Sequence, residues 1–175
     1  MKHYNLKDRY ALITGASSGI GREISRCFAE KGTNVVLGAL PSERNVLETW
    51  AEELQDQCKV QTWPLPVDLA DDEGPRTLHR KTLELIPHLD ILVNNAGMLT
   101  YGSFQDVSLD LHEKLMRVNA RAYMHLMHFA LTHMMQRSQG RILNVSSMAV
   151  SSAWLSLSLP ESQWKDIGRF WLVSP

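Results

Sequence analysis

Short apolar runs alternate along the chain with longer segments in which apolar residues recur every three or four positions. The first run, residues 10–13, ends at Thr14 and is followed by glycines and then by an apolar stripe with helical spacing. Four later runs are typical of short strands, and they lie at 34–38, 59–66, 90–94 and 142–146. Because helical segments separate these runs, the pattern predicts an α/β fold with parallel strands joined by right-handed crossovers.

Three details of the pattern refine this fold. Pro64 and Pro66 lie in the third run, and proline is confined to strand ends or sheet edges. The longest predicted helix runs from Ser108 to about Gln136, and its apolar stripe contains Leu115, Ala122 and Leu126. In the helix that Ser42 is expected to cap, Trp50 falls in the apolar stripe, so we expect a core side chain rather than a ligand platform.

Polar or glycine residues follow the end of each predicted strand except the second, which leads to Leu40. The carboxyl ends of parallel strands meet at one edge of a sheet, and open α/β sheets bind ligands at that edge. The sequence therefore predicts a ligand site formed by the residues that follow the five strands, which are Gly15, Leu40, Asp68, Asn94 and Ser147.

The segment after the first strand contains glycines at positions 15, 19 and 21. Glycine permits positive φ and a close approach of backbone to ligand, and the start of a helix favours a phosphate group. A simple connection between strand and helix is the alternative. A P-loop is disfavoured because no Gly-Lys-Ser/Thr follows the first glycine at the required distance, and the spacing also differs from Gly-x-Gly-x-x-Gly.

Composition narrows the function classes. The 18 basic and 19 acidic residues give a net charge of -1, so nothing favours binding to nucleic acid or to an anionic membrane. Residues 1–9 are polar, and no apolar run reaches the about 20 residues that span a bilayer, so we expect a cytoplasmic protein. Cys27 and Cys58 are too few for a disulfide framework. The histidines of the longest helix, including His125 and His128, lack a metal-site pattern, and we expect no metal.

Five polar residues are candidates for function, and three of them have a structural alternative. Asp68 follows the third strand, where it could instead be a turn residue. Asn94 and Asn95 leave a buried strand, and buried amides need specific partners. Asn119 lies inside an apolar stripe, where a core amide bonded to its own backbone is the alternative. Ser147 could be a capping or turn serine.

Three motifs together resemble the short-chain dehydrogenase/reductase family. They are Thr-Gly-Ala-Ser-Ser-Gly-Ile-Gly at 14–21, Asn-Asn-Ala-Gly at 94–97 and Asn-Val-Ser-Ser at 144–147. The resemblance covers roughly residues 8–149 and implies a Rossmann-type, doubly wound parallel sheet that is truncated after the fifth strand. It also implies an oxidoreductase that transfers hydride between NAD or NADP and a small carbonyl or alcohol substrate.

The resemblance assigns roles to individual residues. Catalytic roles fall on Asn119, which helps to hold a water-linked proton path, and on Ser147, which hydrogen-bonds the substrate oxygen. Asp68 lies against the adenine, and the Asn-Asn-Ala-Gly segment stabilises the sheet and lies beside the nicotinamide ribose. The cofactor-binding residues that it implies are Gly15, Ser17, Ser18, Gly19, Ile20, Gly21, Asp68, Asn95, Ala96 and Gly97.

The second strand bears on the choice between NAD and NADP. An acidic residue about 20 positions past the glycines would accept the ribose hydroxyls of NAD, but Leu40 occupies that place. We therefore predict a preference for NADP, with Arg44 reaching the additional phosphate. The alternative is that Arg44 is a solvated residue in the first turn of the following helix.

The sequence departs from the family after the fifth strand. The family's chemistry needs a Tyr and a Lys four residues later, and no tyrosine of this chain has that lysine. Residues 151–175 show no sustained period and include Pro160, so we expect a dinucleotide-binding domain at 1–150 and an atypical, poorly ordered tail. A change of reading frame or splicing near Val150 would produce this arrangement. The oligomer is left undecided because the family's dimer interface uses the missing helix.

Two interpretations of function follow. The first is an oxidoreductase that is impaired by the loss of the catalytic Tyr and Lys. The second is a dinucleotide-binding module that acts by binding alone.

Overall fold

The computed structural model describes residues 4–100 and 104–146. In these residues five strands form one sheet in the order β3-β2-β1-β4-β5, and every neighbouring pair is parallel. This confirms the predicted α/β fold. The strands are β1 Tyr10–Thr14, β2 Asn34–Ala39, β3 Thr62–Pro66, β4 Ile91–Asn94 and β5 Arg141–Asn144.

Helices cover both faces of the sheet. Side chains of β1 and β2 alternate between the faces: Ala11, Ile13 and Val35 pack against the helices of one face, and Leu12 and Val36 pack against those of the other. This is the doubly wound arrangement. The helices are α1 Gly19–Glu30, α2 Arg44–Cys58, α3 Gly74–Leu85, α4 Leu109–Met116 and α5 Ala122–Gln136, with 3-10 turns at Pro41–Glu43 and Phe104–Asp106.

The predicted position of Trp50 is confirmed. Its side chain is buried in the core beneath α2, and its indole N–H donates to the hydroxyl of Ser25, with 2.9 Å between the two atoms. The hydrogen bond satisfies the polar atom of the indole inside the core, so α1 and α2 are joined by a bond as well as by apolar contact.

The longest predicted helix is divided. A π-helical turn, Arg117–Arg121, lies between α4 and α5 and contains Asn119. Such a turn adds one residue to the helical repeat, so it rotates the side chains that follow. Sequence spacing alone did not predict it, because the apolar stripe continues through Leu115, Ala122 and Leu126, all of which are buried.

The third strand is an edge strand, as its prolines predicted, although it begins at Thr62 rather than at residue 59. Lys59 adopts a left-handed conformation with φ of 58° and its N–H bonds the carbonyl of Gln55, so it ends α2 instead of starting the strand.

Strand register brings the predicted site segments to one edge. Thr14 pairs with Gly38, and Asn94 pairs with Asn144, so β1, β2, β4 and β5 end at nearly the same level. Ser147 and the tail at 151–175 lie outside the described residues.

Candidate functional site

A cleft of about 410 Å³ opens at the carboxyl edge of the sheet. It is lined by the segments that follow β1, β2, β3 and β4, with Lys114 of α4 and Val118 completing its wall. Gly21 and Asn119 do not line it. Nine of the ten residues expected to bind a cofactor do: Gly15, Ser17, Ser18, Gly19, Ile20, Asp68, Asn95, Ala96 and Gly97.

The positions of the first turn are occupied by glycine for different physical reasons. Gly15 has φ of +66°, and a Cβ atom there would lie 2.9 Å from the Cα of Ala96, so the neighbouring segment requires glycine. Gly21 is buried beneath the turn, where a Cβ atom would collide with the carbonyl of Gly15 and the amide of Asn95. Gly15 and Gly21 therefore make room for neighbouring protein segments rather than for a ligand.

Gly19 is the glycine that faces open space. Its φ is +52°, and a Cβ atom there would meet no atom within 4 Å. It is the first residue of α1, and the preceding Ser18 is extended and does not cap the helix with its side chain. No acidic residue occupies the first turn of α1. The N–H groups and the positive end of the helix dipole thus remain available to an anion in the cleft, and a dinucleotide diphosphate suits them.

Thr14 and Asn95 fasten the glycine turn to the end of β4. The hydroxyl of Thr14 accepts from the N–H of Asn95 at 2.9 Å and of Ala96 at 3.0 Å, and it donates to the carbonyl of Val93 at 3.3 Å. The amide of Asn95 donates to the carbonyls of Thr14 at 3.0 Å and Gly15 at 3.3 Å. The side chain of Asn95 therefore holds the wall of the cleft in place.

Asp68 lies in the cleft wall and also forms a turn. Its carboxylate accepts from the N–H of Ala70 at 2.8 Å, which is the local bond expected of an aspartate in a turn. The functional and the structural interpretations are thus compatible at this residue, because it has a turn bond and also faces the cleft.

A carboxylate that sequence reasoning missed lies in the 3-10 turn that follows β2. The hydroxyl of Ser17 donates to Oε2 of Glu43 at 2.9 Å, and both residues line the cleft beside Leu40. Arg44 is absent from that lining, and its guanidinium pairs with Glu48 at 3.2 Å on the outer side of α2. The available signal was the proline at position 41, which starts the 3-10 turn that carries Glu43.

Asn119 connects the π-helical turn to the segment after β4. Its carbonyl oxygen accepts from the N–H of Met98 at 2.9 Å, and its amide donates to the carbonyl of Met98 at 2.8 Å. Asn119 is exposed, and its partner is 21 residues away. The alternative of a core amide bonded to its own backbone is therefore wrong. The residue positions Met98, which lines the cleft.

The described tyrosines offer no replacement for the missing one. None of Tyr4, Tyr10 and Tyr123 lines the cleft. Tyr123 lies nearest to the end of β5, with its hydroxyl 3.4 Å from the carbonyl of Val145, but burial raises its pKa above the usual value. Proton transfer near neutral pH would need a shift in the opposite direction. Ser147, the predicted catalytic serine, and Tyr101 lie outside the described residues.

The described residues contain neither a metal-site cluster nor a membrane-spanning helix. No group of three or more His, Cys, Asp or Glu side chains in 4–100 and 104–146 is arranged to hold a metal ion. Within those ranges no helix is both long and apolar enough to cross a bilayer.

Comparison with known proteins places the chain in a family. Residues 9–159 match the family described as short chain dehydrogenase. Human dehydrogenase/reductase SDR family member 7 is 34% identical over 152 residues, which are 83% of this chain and 43% of the human protein. The chain spans about half the length of the curated relatives that it matches.

Solved structures agree with this match. A short-chain dehydrogenase from Sphingobium yanoikuyae in complex with NADPH has a TM-score of 0.78 at 30% identity, over 86% of this chain and 57% of that one. L-sorbose reductase from Gluconobacter frateurii, complexed with NADPH and L-sorbose, has a TM-score of 0.79 at 26% identity, over 85% and 57%. The chain belongs to the short chain dehydrogenase family.

Proposed function

We propose that this chain binds a nicotinamide dinucleotide in the cleft at the carboxyl edge of its sheet. One observation carries the proposal: the open face at Gly19 and the free start of α1 lie in the same cleft as Asp68 and Asn95. Gly19 and Asn95 belong to motifs that resemble the family's cofactor site, and the resemblance places Asp68 against the adenine. The reaction we assign is hydride transfer between the coenzyme and a small carbonyl or alcohol substrate.

Different residues of the cleft bind different parts of the dinucleotide. The glycine turn and the N–H groups of α1 hold the diphosphate, because both the dipole and the open backbone favour an anion. Asp68 borders the adenine side, and 95–97 borders the nicotinamide ribose. When bound, the nicotinamide supplies or accepts the hydride. Asn119 holds Met98, and Ser147 would hydrogen-bond the substrate oxygen.

We further propose that turnover is impaired in these 175 residues. The sequence contains no Tyr followed four residues later by Lys, and Tyr123 has its pKa raised rather than lowered. Without a positioned proton donor, hydride transfer loses a contribution of about 100-fold to 10,000-fold. The same observations favour the second candidate, a module that binds the dinucleotide without catalysis.

The predicted preference for NADP also remains a proposal. Leu40 leaves no acidic side chain at the end of β2 itself, and the two solved relatives described above are NADPH complexes. Arg44 would have to leave Glu48 to reach the additional phosphate. That pair is exposed, so its loss would cost less than about 1 kcal/mol.

Titration of the purified chain with NADPH and NADH, followed by nicotinamide fluorescence, tests binding. We expect saturation with at least one coenzyme and a rise in thermal stability with its concentration. No saturation with either coenzyme would refute the assignment. Coenzyme oxidation with a panel of ketones and aldehydes then separates the two candidates. Binding without oxidation supports the module, whereas turnover that survives Ser147→Ala would contradict the role of that serine.

A further inference from the structure

We propose that Glu43 acts against the NADP preference proposed above, by accepting from ribose hydroxyls and repelling the 2′-phosphate of NADP. The inference rests on the proposed coenzyme site and concerns one corner of it. That corner is formed by the glycine turn and the end of β2, where Ser17, Leu40 and Glu43 line the cleft.

The position of Glu43 is fixed by the local fold. The 3-10 turn Pro41–Glu43 reverses the chain after β2, and the N–H of Glu43 donates to the carbonyl of Leu40 at 2.9 Å. The buried hydroxyl of Ser17 then holds Oε2 at 2.9 Å. The carboxylate is therefore held against the turn that we assign to the diphosphate.

This corner faces the adenosine ribose of a bound dinucleotide. In dinucleotide folds the ribose lies close to the end of the second strand, where an acidic side chain accepts its hydroxyls. Position 40 is leucine in this chain, but the turn brings the carboxylate of Glu43 back to the same cleft. Glu43 can therefore accept hydrogen bonds from the ribose hydroxyls, which Leu40 cannot.

The neighbouring cations do not cancel its charge in the cleft. Arg44 pairs with Glu48, its side chain is 57% exposed, and it is absent from the cleft lining. Lys114 is the basic residue in that lining within the described part of the chain, and it belongs to α4. Lys114 also borders a hollow with Asp68, away from the Ser17 corner.

A 2′-phosphate placed near an uncompensated carboxylate is repelled. At an effective dielectric constant of about 20, two unit charges several ångströms apart interact strongly enough to change an affinity by about tenfold or more. NADH lacks this phosphate and offers hydroxyl donors instead. Glu43 thus lowers the affinity for NADPH relative to NADH, in opposition to the contribution proposed for Arg44.

The structural alternative is that Glu43 only braces the glycine turn through Ser17. Glu43→Gln distinguishes the two, because glutamine keeps an oxygen that accepts from Ser17 and removes the charge. Glu52→Gln is the matched control, since Glu52 is an exposed residue of α2 that does not line the cleft.

The test measures dissociation constants for NADPH and NADH in the wild-type chain and both variants, by nicotinamide fluorescence at low and high salt. We expect Glu43→Gln to raise the ratio of NADPH to NADH affinity about tenfold at low salt, and less at high salt because ions screen the charge. Glu52→Gln should change the ratio less than about twofold.

Two other outcomes would overturn the proposal in different ways. If both coenzymes bind and Glu43→Gln leaves their ratio unchanged, Glu43 only braces the turn and the coenzyme site stands. If neither coenzyme binds to any of the three proteins, the proposed function fails and this inference fails with it.

Discussion

Replacement of Thr14 by valine tests how the cleft is held together. Valine keeps the shape of the side chain but removes the hydroxyl, which is buried and bonds three backbone groups. The N–H groups of Asn95 and Ala96 would lose their acceptor, and the carbonyl of Val93 would lose a donor. All three groups belong to the end of β4 or the segment after it.

The expected loss of stability follows from those three hydrogen bonds. Each buried donor left without a partner costs about 1–3 kcal/mol. Asn95 and Ala96 are partly exposed, so water can replace some of the lost bonding. The bond to Val93 is long at 3.3 Å and adds little. We expect Thr14→Val to lower the free energy of unfolding by about 3 kcal/mol.

Thr82→Val is the matched control. Thr82 is as buried as Thr14, but its hydroxyl donates only to the carbonyl of Leu78, one turn earlier in α3. Its replacement should cost less than about 1 kcal/mol. Urea denaturation followed by circular dichroism gives both values. If Thr14→Val destabilises the chain no more than Thr82→Val, Thr14 does not fasten the two segments.

Three further predictions concern other parts of the molecule. Burial, reinforced by the charge of His133, lowers the pKa of His79 to about 4 from the model-peptide 6.5, so the unfolded chain binds the proton more readily. The free energy of unfolding should be highest above pH 6.5 and about 2 kcal/mol lower at pH 5. Denaturation of a His79→Phe variant at the two pH values should show no such difference. Gly19→Ala should lower the free energy of unfolding by about 1–2 kcal/mol because of its positive φ, and it should abolish coenzyme binding. Gly21→Ala should prevent stable folding, because its Cβ atom would collide with backbone atoms. Denaturation and coenzyme titration of both variants check these outcomes. Asn119→Ala should cost less than about 1 kcal/mol, because its bonds are exposed, yet weaken coenzyme binding several-fold by releasing Met98; an unchanged dissociation constant would refute that positioning role.

Much of the fold could be predicted because its signals are local. Apolar runs bounded by glycine, proline or asparagine gave all five strands, and two prolines placed the third strand at an edge. The boundary at Lys59 and the π-helical turn around Asn119 were not predicted. Both depend on backbone conformations that several residue types adopt, so no residue pattern in the sequence indicates either of them.

The site was predicted as a set of segments but not as a set of contacts. Parallel strands necessarily bring Gly15, Asp68 and Asn95 to one edge, which is why the cleft contains them. The contact of Ser17 with Glu43 joins residues 26 apart through a turn whose direction the sequence does not reveal. Likewise, Asp90 was recognised only as the start of a strand. Its buried carboxylate bonds Arg9 and Arg137, which lie far from it in sequence.

The central claim is that backbone amides at the glycine turn and the start of α1 hold the diphosphate of a nicotinamide dinucleotide. Amide NMR spectra of the isotope-labelled chain, recorded while NADH or NADPH is added, test it most directly. We expect the largest shifts at Gly15, Ser18, Gly19 and Ile20, with smaller ones at Asn95. Shifts confined to other parts of the chain, or none at saturating coenzyme, would contradict it.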